Sequence, residues 1–144
     1  MTSLRTAHRI EHRIRPADRN DLPRLRDIAA EAWPGDNLDL AALQDEQALF
    51  VAEWRIAIDG FIVLLPLHQS MLVHRLAVAG EMRGRGLGGW LLDFAAQHAR
   101  GAGHAAIEVQ LAEDRTGDIA WLLRHGFARA RQTSNRALLR RAAA

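Results

Sequence analysis

The strongest constraint on this chain is a glycine-rich turn set between an apolar strand and an amphipathic helix. Residues 71–78 (MLVHRLAV) read as a β-strand and lead straight into a Gly/Arg loop at residues 80–86. Leu87, Leu91, Phe94, Ala95 and His98 then recur on one face at helical spacing, and Gly101 and Gly103 end that helix. Residues 105–111 are again apolar and strand-like. A helix that returns the chain to a neighbouring strand makes the two strands parallel. The domain therefore contains a β-loop-α-β crossover.

The flanking segments build a mixed sheet around that unit. Residues 11–15 alternate and stop at Pro16, as a short strand does, and Asp18 with Asp21 three positions later marks a helix start. Leu22, Leu25, Ile28, Ala29 and Ala32 keep helical spacing up to Trp33, where Pro34-Gly35-Asp36-Asn37 breaks the helix. A weaker helix spans Leu40, Leu43 and Gln47. Residues 48–54 and 56–67 are apolar strands close enough to form a hairpin, although Arg55-Ile56-Ala57 lacks the usual Asn-Gly or Asp-Gly turn. Thr116 or Asp118 is expected to cap a short helix through Ile119, Leu122 and Leu123, ended by Gly126-Phe127, with two weak strands at 127–132 and 136–141. The predicted order is β-α-α-β-β-β-α-β-α-β-β, an α/β (α+β mixed-sheet) fold. Residues 1–10 are expected to form a flexible polar lead-in and residues 11–144 a single domain.

Composition removes several classes of function. With 144 residues, 49% of them hydrophobic, the chain is long enough for one self-sufficient core. No run of about 18 apolar residues occurs, so no membrane span is expected. The N-terminal residues lack a continuous apolar stretch, so no secretory signal is expected either. The absence of cysteine rules out disulfides, zinc–thiolate sites and thiol nucleophiles, and together these features point to the cytoplasm. All nineteen cations are arginine, there is no tyrosine, and the net charge is only +2. The sequence pI near 10.7 thus reflects missing lysine rather than a basic surface, and gives little support to nucleic-acid binding. The histidines show no metal-ligand spacing such as H-E-x-x-H, so no metal is expected.

The loop itself, Arg83-Gly84-Arg85-Gly86-Leu87-Gly88-Gly89, points to an anion. A helix N-terminus presents unpaired amides and a partial positive charge, glycines admit a phosphate to backbone contact, and arginines add charged hydrogen bonds. A P-loop is excluded because there is no lysine. A dinucleotide fingerprint matches as Gly84-x-Gly86-x-x-Gly89, with Glu108 about 20 residues further on. That motif, however, falls past the chain midpoint, and Glu108 lies inside its strand rather than at the end.

A third reading accounts for more of the chain. Leu76-Ala77-Val78 followed by Arg83-x-x-Gly86-x-Gly88 resembles the acyl-CoA signature of the GNAT (Gcn5-related) N-acetyltransferase superfamily, and the resemblance runs from Ile14-Arg15-Pro16-Ala17 to Gly126-Phe127. It implies a mostly antiparallel sheet with one splayed parallel pair. Backbone groups of Leu76, Ala77 and Val78 would hold pantetheine. The amides of Gly84, Arg85, Gly86, Leu87, Gly88 and Gly89 would hold the pyrophosphate of acetyl-CoA, with Arg83 and Arg85 flanking it, and the thioester would lie in the gap between the splayed strands. The implied activity is acetyl transfer from acetyl-CoA to an amine, on a small molecule or a protein N-terminus or lysine, by direct attack in a ternary complex. Relatives of this size often form homodimers.

The resemblance also implies catalytic roles and exposes departures. The stretch Val73-His74-Arg75-Leu76 is similar to a strand of arylalkylamine N-acetyltransferases, in which a histidine deprotonates the amine, and so His74 is the candidate base. Glu108 is a second candidate, as base or ammonium ligand. Trp33, Asp36 and Asp39 would line the acceptor region. The tyrosine that often serves as general acid aligns with Leu122, the asparagine at the start of that helix with Arg115, and the base glutamate of histone-type members with Leu72. Two alternatives are a non-catalytic acyl-CoA-binding domain and a nucleotide-binding module that uses Arg83 and Arg85.

Overall fold

A computed structural model of the chain describes residues 12–133 and 135–143; the expected lead-in at residues 1–10 lies outside them. Among the described residues, seven strands and four α-helices form a mixed α/β fold. They are β1 (Arg13–Pro16), α1 (Leu22–Ala32), α2 (Leu40–Asp45), β2 (Leu49–Trp54), β3 (Ala57–Pro66), β4 (Ser70–Val78), α3 (Leu87–Gly101), β5 (Ala106–Ala112), α4 (Thr116–Arg124), β6 (Ala128–Gln132) and β7 (Arg136–Ala142). The element order is the one expected. The strand order in the sheet is β1-β2-β3-β4-β5-β7-β6. β4 and β5 are parallel, paired through Ser70, Met71 and Leu72 with Ala106, Ile107 and Glu108, as the crossover requires.

By contact density the chain divides into two compact units. The first runs to Val63 and takes in Arg75–Leu92; the second holds Leu64–His74 and everything from Asp93 onward. In the first, Leu22, Leu25 and Ile28 of α1 are buried together with Leu49–Ala52 of β2 and Phe61–Val63 of β3. The continuous apolar run in β3 reflects a strand covered on both faces. In the second unit, Ala95, Ala96 and Ala99 of α3, Ile107 of β5, Ile119 and Leu122 of α4, and Leu139 of β7 are buried. Phe94 and His98 stack at the rim of the α3 face, with ring centroids 5.7 Å apart, rather than entering the core.

Local chemistry sets the helix ends. Asp18 accepts from the Asn20 amide, and Asp21 accepts in return from the Asp18 amide at 2.8 Å, a capping box on the 3₁₀ turn that leads into α1. Asp21 also takes two bonds from Arg15, at 2.8 and 2.9 Å, and Arg15 reaches Glu53 at 3.0 Å. The Arg15 guanidinium holds both carboxylates below their usual range. α4 differs from expectation. Its N-cap position is Arg115 and no side chain caps it; Asp118 instead pairs with Arg115 across the first turn. The ion pair with the neighbouring cation satisfies that carboxylate in place of the helix amides.

Three helices close on a left-handed residue. Gly103 (φ +86°) and Gly126 (φ +88°) follow α3 and α4, as their glycines predicted. After α2 the same position is Gln47, at φ +60°, with its amide on Gln44 and the Ala48 amide on the Leu43 carbonyl. This is the Schellman pairing built on a residue with a Cβ. The hairpin turn resolves similarly: Arg55 adopts φ +58° without glycine, its guanidinium 4.8 Å over the Trp54 ring.

Two predictions follow from these local features. Replacing Gln47 with Gly removes a left-handed strain of about 1–2 kcal/mol, partly offset by chain entropy, and should raise the melting temperature by roughly 2–4 °C in calorimetry. Asp21 and Glu53 have depressed folded-state values, so their contribution is present above the unfolded value and lost as pH falls through the folded one. The stability gap between wild type and Asp21→Asn should therefore be full at pH 7 and shrink below Asp21's ordinary 3.8, as read by denaturant titration across pH.

Candidate active site

The site is built on the passage from the end of β4 (Arg75–Val78) through the loop into the first turns of α3 (Leu87–Leu92), and that stretch lies within the first unit. The loop starts where the Ala79 amide donates to the Asp59 carbonyl at 2.8 Å. A 3₁₀ turn at Gly80–Met82 follows, anchored by the buried Met82 side chain. Gly84 and Gly86 take φ values of +76° and +84°, and a Cβ built on either would meet nothing within 4 Å. Both glycines are therefore demanded by backbone conformation, and both face open space. α3 then begins at Leu87, its first internal bond running from the Trp90 amide to the Gly86 carbonyl at 3.1 Å.

That geometry strands a row of donors. Among the described residues, the amides of Gly84, Arg85, Gly86, Leu87, Gly88 and Gly89 find no backbone acceptor. Some of them are the ordinary unpaired amides of a helix N-terminus, and the loop adds the others beside them. Such an array suits a multiply charged anion such as a pyrophosphate. Arg85 is half-buried and makes no ion pair among the described residues. Arg83 is engaged: its Nε donates to the Val78 carbonyl at 3.3 Å and its Nη2 to Glu31 at 3.2 Å.

The strand before the loop is held by a residue that the sequence reading did not single out. A Cβ on Gly60 of β3 would lie 2.8 Å from the Ala77 carbonyl oxygen, so only glycine lets β4 pass this close. A lone glycine inside an otherwise apolar strand was the available signal. Ala77 is buried, whereas Leu76 and Val78 are half-exposed. Beneath the loop, His12 and Asp59 share a buried 2.8 Å hydrogen bond, and the His12 ring lies 6.0 Å from Trp90 and 6.5 Å from Trp54. No local pattern forecasts a partner 47 residues away.

The remaining candidates fall into two groups. Near α1, Arg75 donates to Asp36 at 3.2 and 3.3 Å and lies 5.5 Å over the Trp33 ring, which itself packs edge-on to Phe61. Asp39 caps α2 through the Ala42 amide. Both acids thus have partners within the protein. In the second unit, His74 is half-buried on β4, and Glu108 is buried in β5. Glu108 accepts from Ser70 Oγ at 2.8 Å and from Gln110 Nε2 at 2.9 Å, with Arg140 Nε at 3.8 Å. Leu122 is buried on α4, with no ionisable group at that position. Among the described residues, no group of three His, Cys, Asp or Glu is placed to hold a metal, and no helix is long and apolar enough to cross a membrane.

Comparison with known proteins agrees with this architecture. The family model described as "Acetyltransferase (GNAT) family" matches residues 7–127. A sequence search of curated proteins finds no match. Among solved structures, Ard1 from Thermoplasma volcanium superposes with a TM-score of 0.79 at 18% identity, covering 92% of this chain and 97% of that one. The ribosomal-protein-S18-alanine N-acetyltransferase from Escherichia coli gives 0.76 at 18% identity, covering 92% and 94%. A GNAT family acetyltransferase from Elizabethkingia anophelis with acetyl-CoA bound gives 0.73 at 18%, covering 92% and 98%. At these identities the structures speak for the fold, and the family model spans most of the sequence: the chain belongs to the GNAT acetyltransferase family.

Proposed function

We propose that the protein is a cytoplasmic N-acetyltransferase that moves an acetyl group from acetyl-CoA to a primary amine of a small molecule or a protein. The observation that carries this reading is the row of unpaired amides from Gly84 to Gly89, opened by two left-handed glycines and flanked by Arg85. These residues fit a pyrophosphate: the donors are free, the space above Gly84 and Gly86 is open, and a guanidinium stands beside them. The backbone of Leu76, Ala77 and Val78 would line the pantetheine arm, held in place by the contact with Gly60.

In this reading acetyl-CoA supplies an activated carbonyl, and the chain orients and protects the reaction. An acceptor arriving as an ammonium must lose a proton before its nitrogen can attack. His74 is the residue we assign to take that proton, directly or through one water. A backbone amide of β4 would polarise the carbonyl. The nitrogen attacks the carbonyl carbon, and the tetrahedral adduct collapses with loss of the C–S bond. The nitrogen gives its second proton to solvent, and solvent protonates the departing thiolate, since Leu122 stands where a tyrosine would donate. Glu108, the second candidate, would have to exchange Ser70 or Gln110 before acting on an amine.

A second reading, an acyl-CoA-binding domain without turnover, is favoured by the buried Leu122 and the engaged Glu108. A thiol-release assay over an amine panel separates the two: turnover with any amine supports the enzyme, and binding of coenzyme A without turnover supports the binder. Stabilisation by NAD but not by coenzyme A in a thermal-shift experiment would overturn both.

Two variants probe the parts. Gly86→Ala forces a Cβ into a left-handed position and into the anion's approach, so its Kd for coenzyme A should rise about tenfold or more by calorimetry, whereas Gly101→Ala, inside α3 with open space around it, should bind normally. His74→Gln should lower kcat by roughly 10²–10⁴, with coenzyme A affinity retained.

A further inference from the structure

The two loop arginines are not equivalent, and the difference implicates α1. Arg83 turns back from the loop: its Nε caps the Val78 carbonyl and its Nη2 meets Glu31 in the last turn of α1. The Glu31 carboxyl rests on the loop itself. A Cβ on Gly80 would fall 2.6 Å from Glu31 Oε1, 3.3 Å from Cδ and 3.4 Å from Oε2, so the absence of a side chain at Gly80 is what seats this carboxylate. A second strut stands seven residues earlier on the helix, where Arg24 reaches Glu81 at 3.1 Å and the Ile58 carbonyl at 3.2 Å. The two struts have opposite polarity, and both end on the 3₁₀ turn or its flank.

We infer that Glu31 is a positioning residue: through Arg83 it holds the turn at residues 80–83 so that the amides of Gly84 to Gly89 converge on one anion, while Arg85 is the guanidinium that meets the anion's charge. This rests on the assignment of the loop to coenzyme A. It assigns Arg83 to the protein side of the loop, whereas the motif alone placed both arginines beside the pyrophosphate.

The sign of one substitution decides the matter. Glu31→Gln removes a negative charge near the anion site and frees Arg83. If Arg83 served the phosphate directly, or if bulk charge ruled, affinity for coenzyme A would increase. If Glu31 acts as a strut, affinity falls. The expected result by calorimetry is a rise in Kd of roughly two- to fivefold for Glu31→Gln and for Arg83→Gln, the range that a half-exposed ion pair commands, with no further rise in the double variant.

Three further measurements isolate positioning from general damage. The apo melting temperature of Glu31→Gln should stay near that of wild type. Its binding of pantetheine, which lacks the pyrophosphate, should not change, and KM for acetyl-CoA should rise while kcat holds. Arg85→Gln should weaken coenzyme A more than Arg83→Gln does, and with a reduced salt dependence. An unchanged or lowered Kd in Glu31→Gln, or additive effects in the double variant, would overturn the inference. Wild-type protein that fails to bind coenzyme A at all would instead overturn the assignment of the loop.

Discussion

The structure turns on the transition from an extended strand to a helix within a few residues, and on the unpaired amides that this transition leaves. A strand running directly into a helix cannot satisfy the first turn of that helix from its own backbone. Most proteins blunt the problem with a serine or aspartate cap, but here glycines occupy those positions and leave the donors open. Gly84 and Gly86 accept left-handed backbone at little cost, and neither brings a side chain across the row. The amides that would otherwise weaken the helix end are left as a row of unpaired donors, the arrangement that an anion would need.

Keeping such a loop in one conformation requires support from outside it. In this chain the support is local to the first unit and comes from several directions: the Asp59 carbonyl on Ala79, the buried Met82, the close pass of Ala77 over Gly60, and the ion pairs from α1. None of these need be strong. Exposed ion pairs each contribute little, but together these contacts reduce the conformational freedom of the loop. An all-arginine set of cations suits the arrangement, because a guanidinium can hold a carbonyl and a carboxylate at once, as Arg83 and Arg24 do.

Much of the fold was legible because its signals are local. Period-2 and period-3.6 patterns placed the strands and helices, Pro34-Gly35 and Gly103 marked breaks, and the crossover required β4 and β5 to run parallel. The capping box at Asp18 and Asp21 was readable for the same reason. The caps of α4 were not, because Asp118 is drawn to Arg115, and propensity alone does not rank a helix amide against a neighbouring cation. Gln47 and Arg55 escaped notice because left-handed backbone at a residue with a Cβ has no sequence signature; the surrounding turn imposes it.

By itself the sequence determined the element order, the parallel crossover and a glycine-rich loop at the head of one helix, since all three depend on residues within a turn or two of each other. Only the tertiary structure decided which charges are spent on partners inside the protein. Asp36 is taken up by Arg75, Glu31 by Arg83, and Glu108 by Ser70, partners 39, 52 and 38 residues apart. Such pairings follow from how strands register and where helices settle on them. A carboxylate's availability is therefore set by the packed fold, because its partner is chosen by distance in space rather than along the chain.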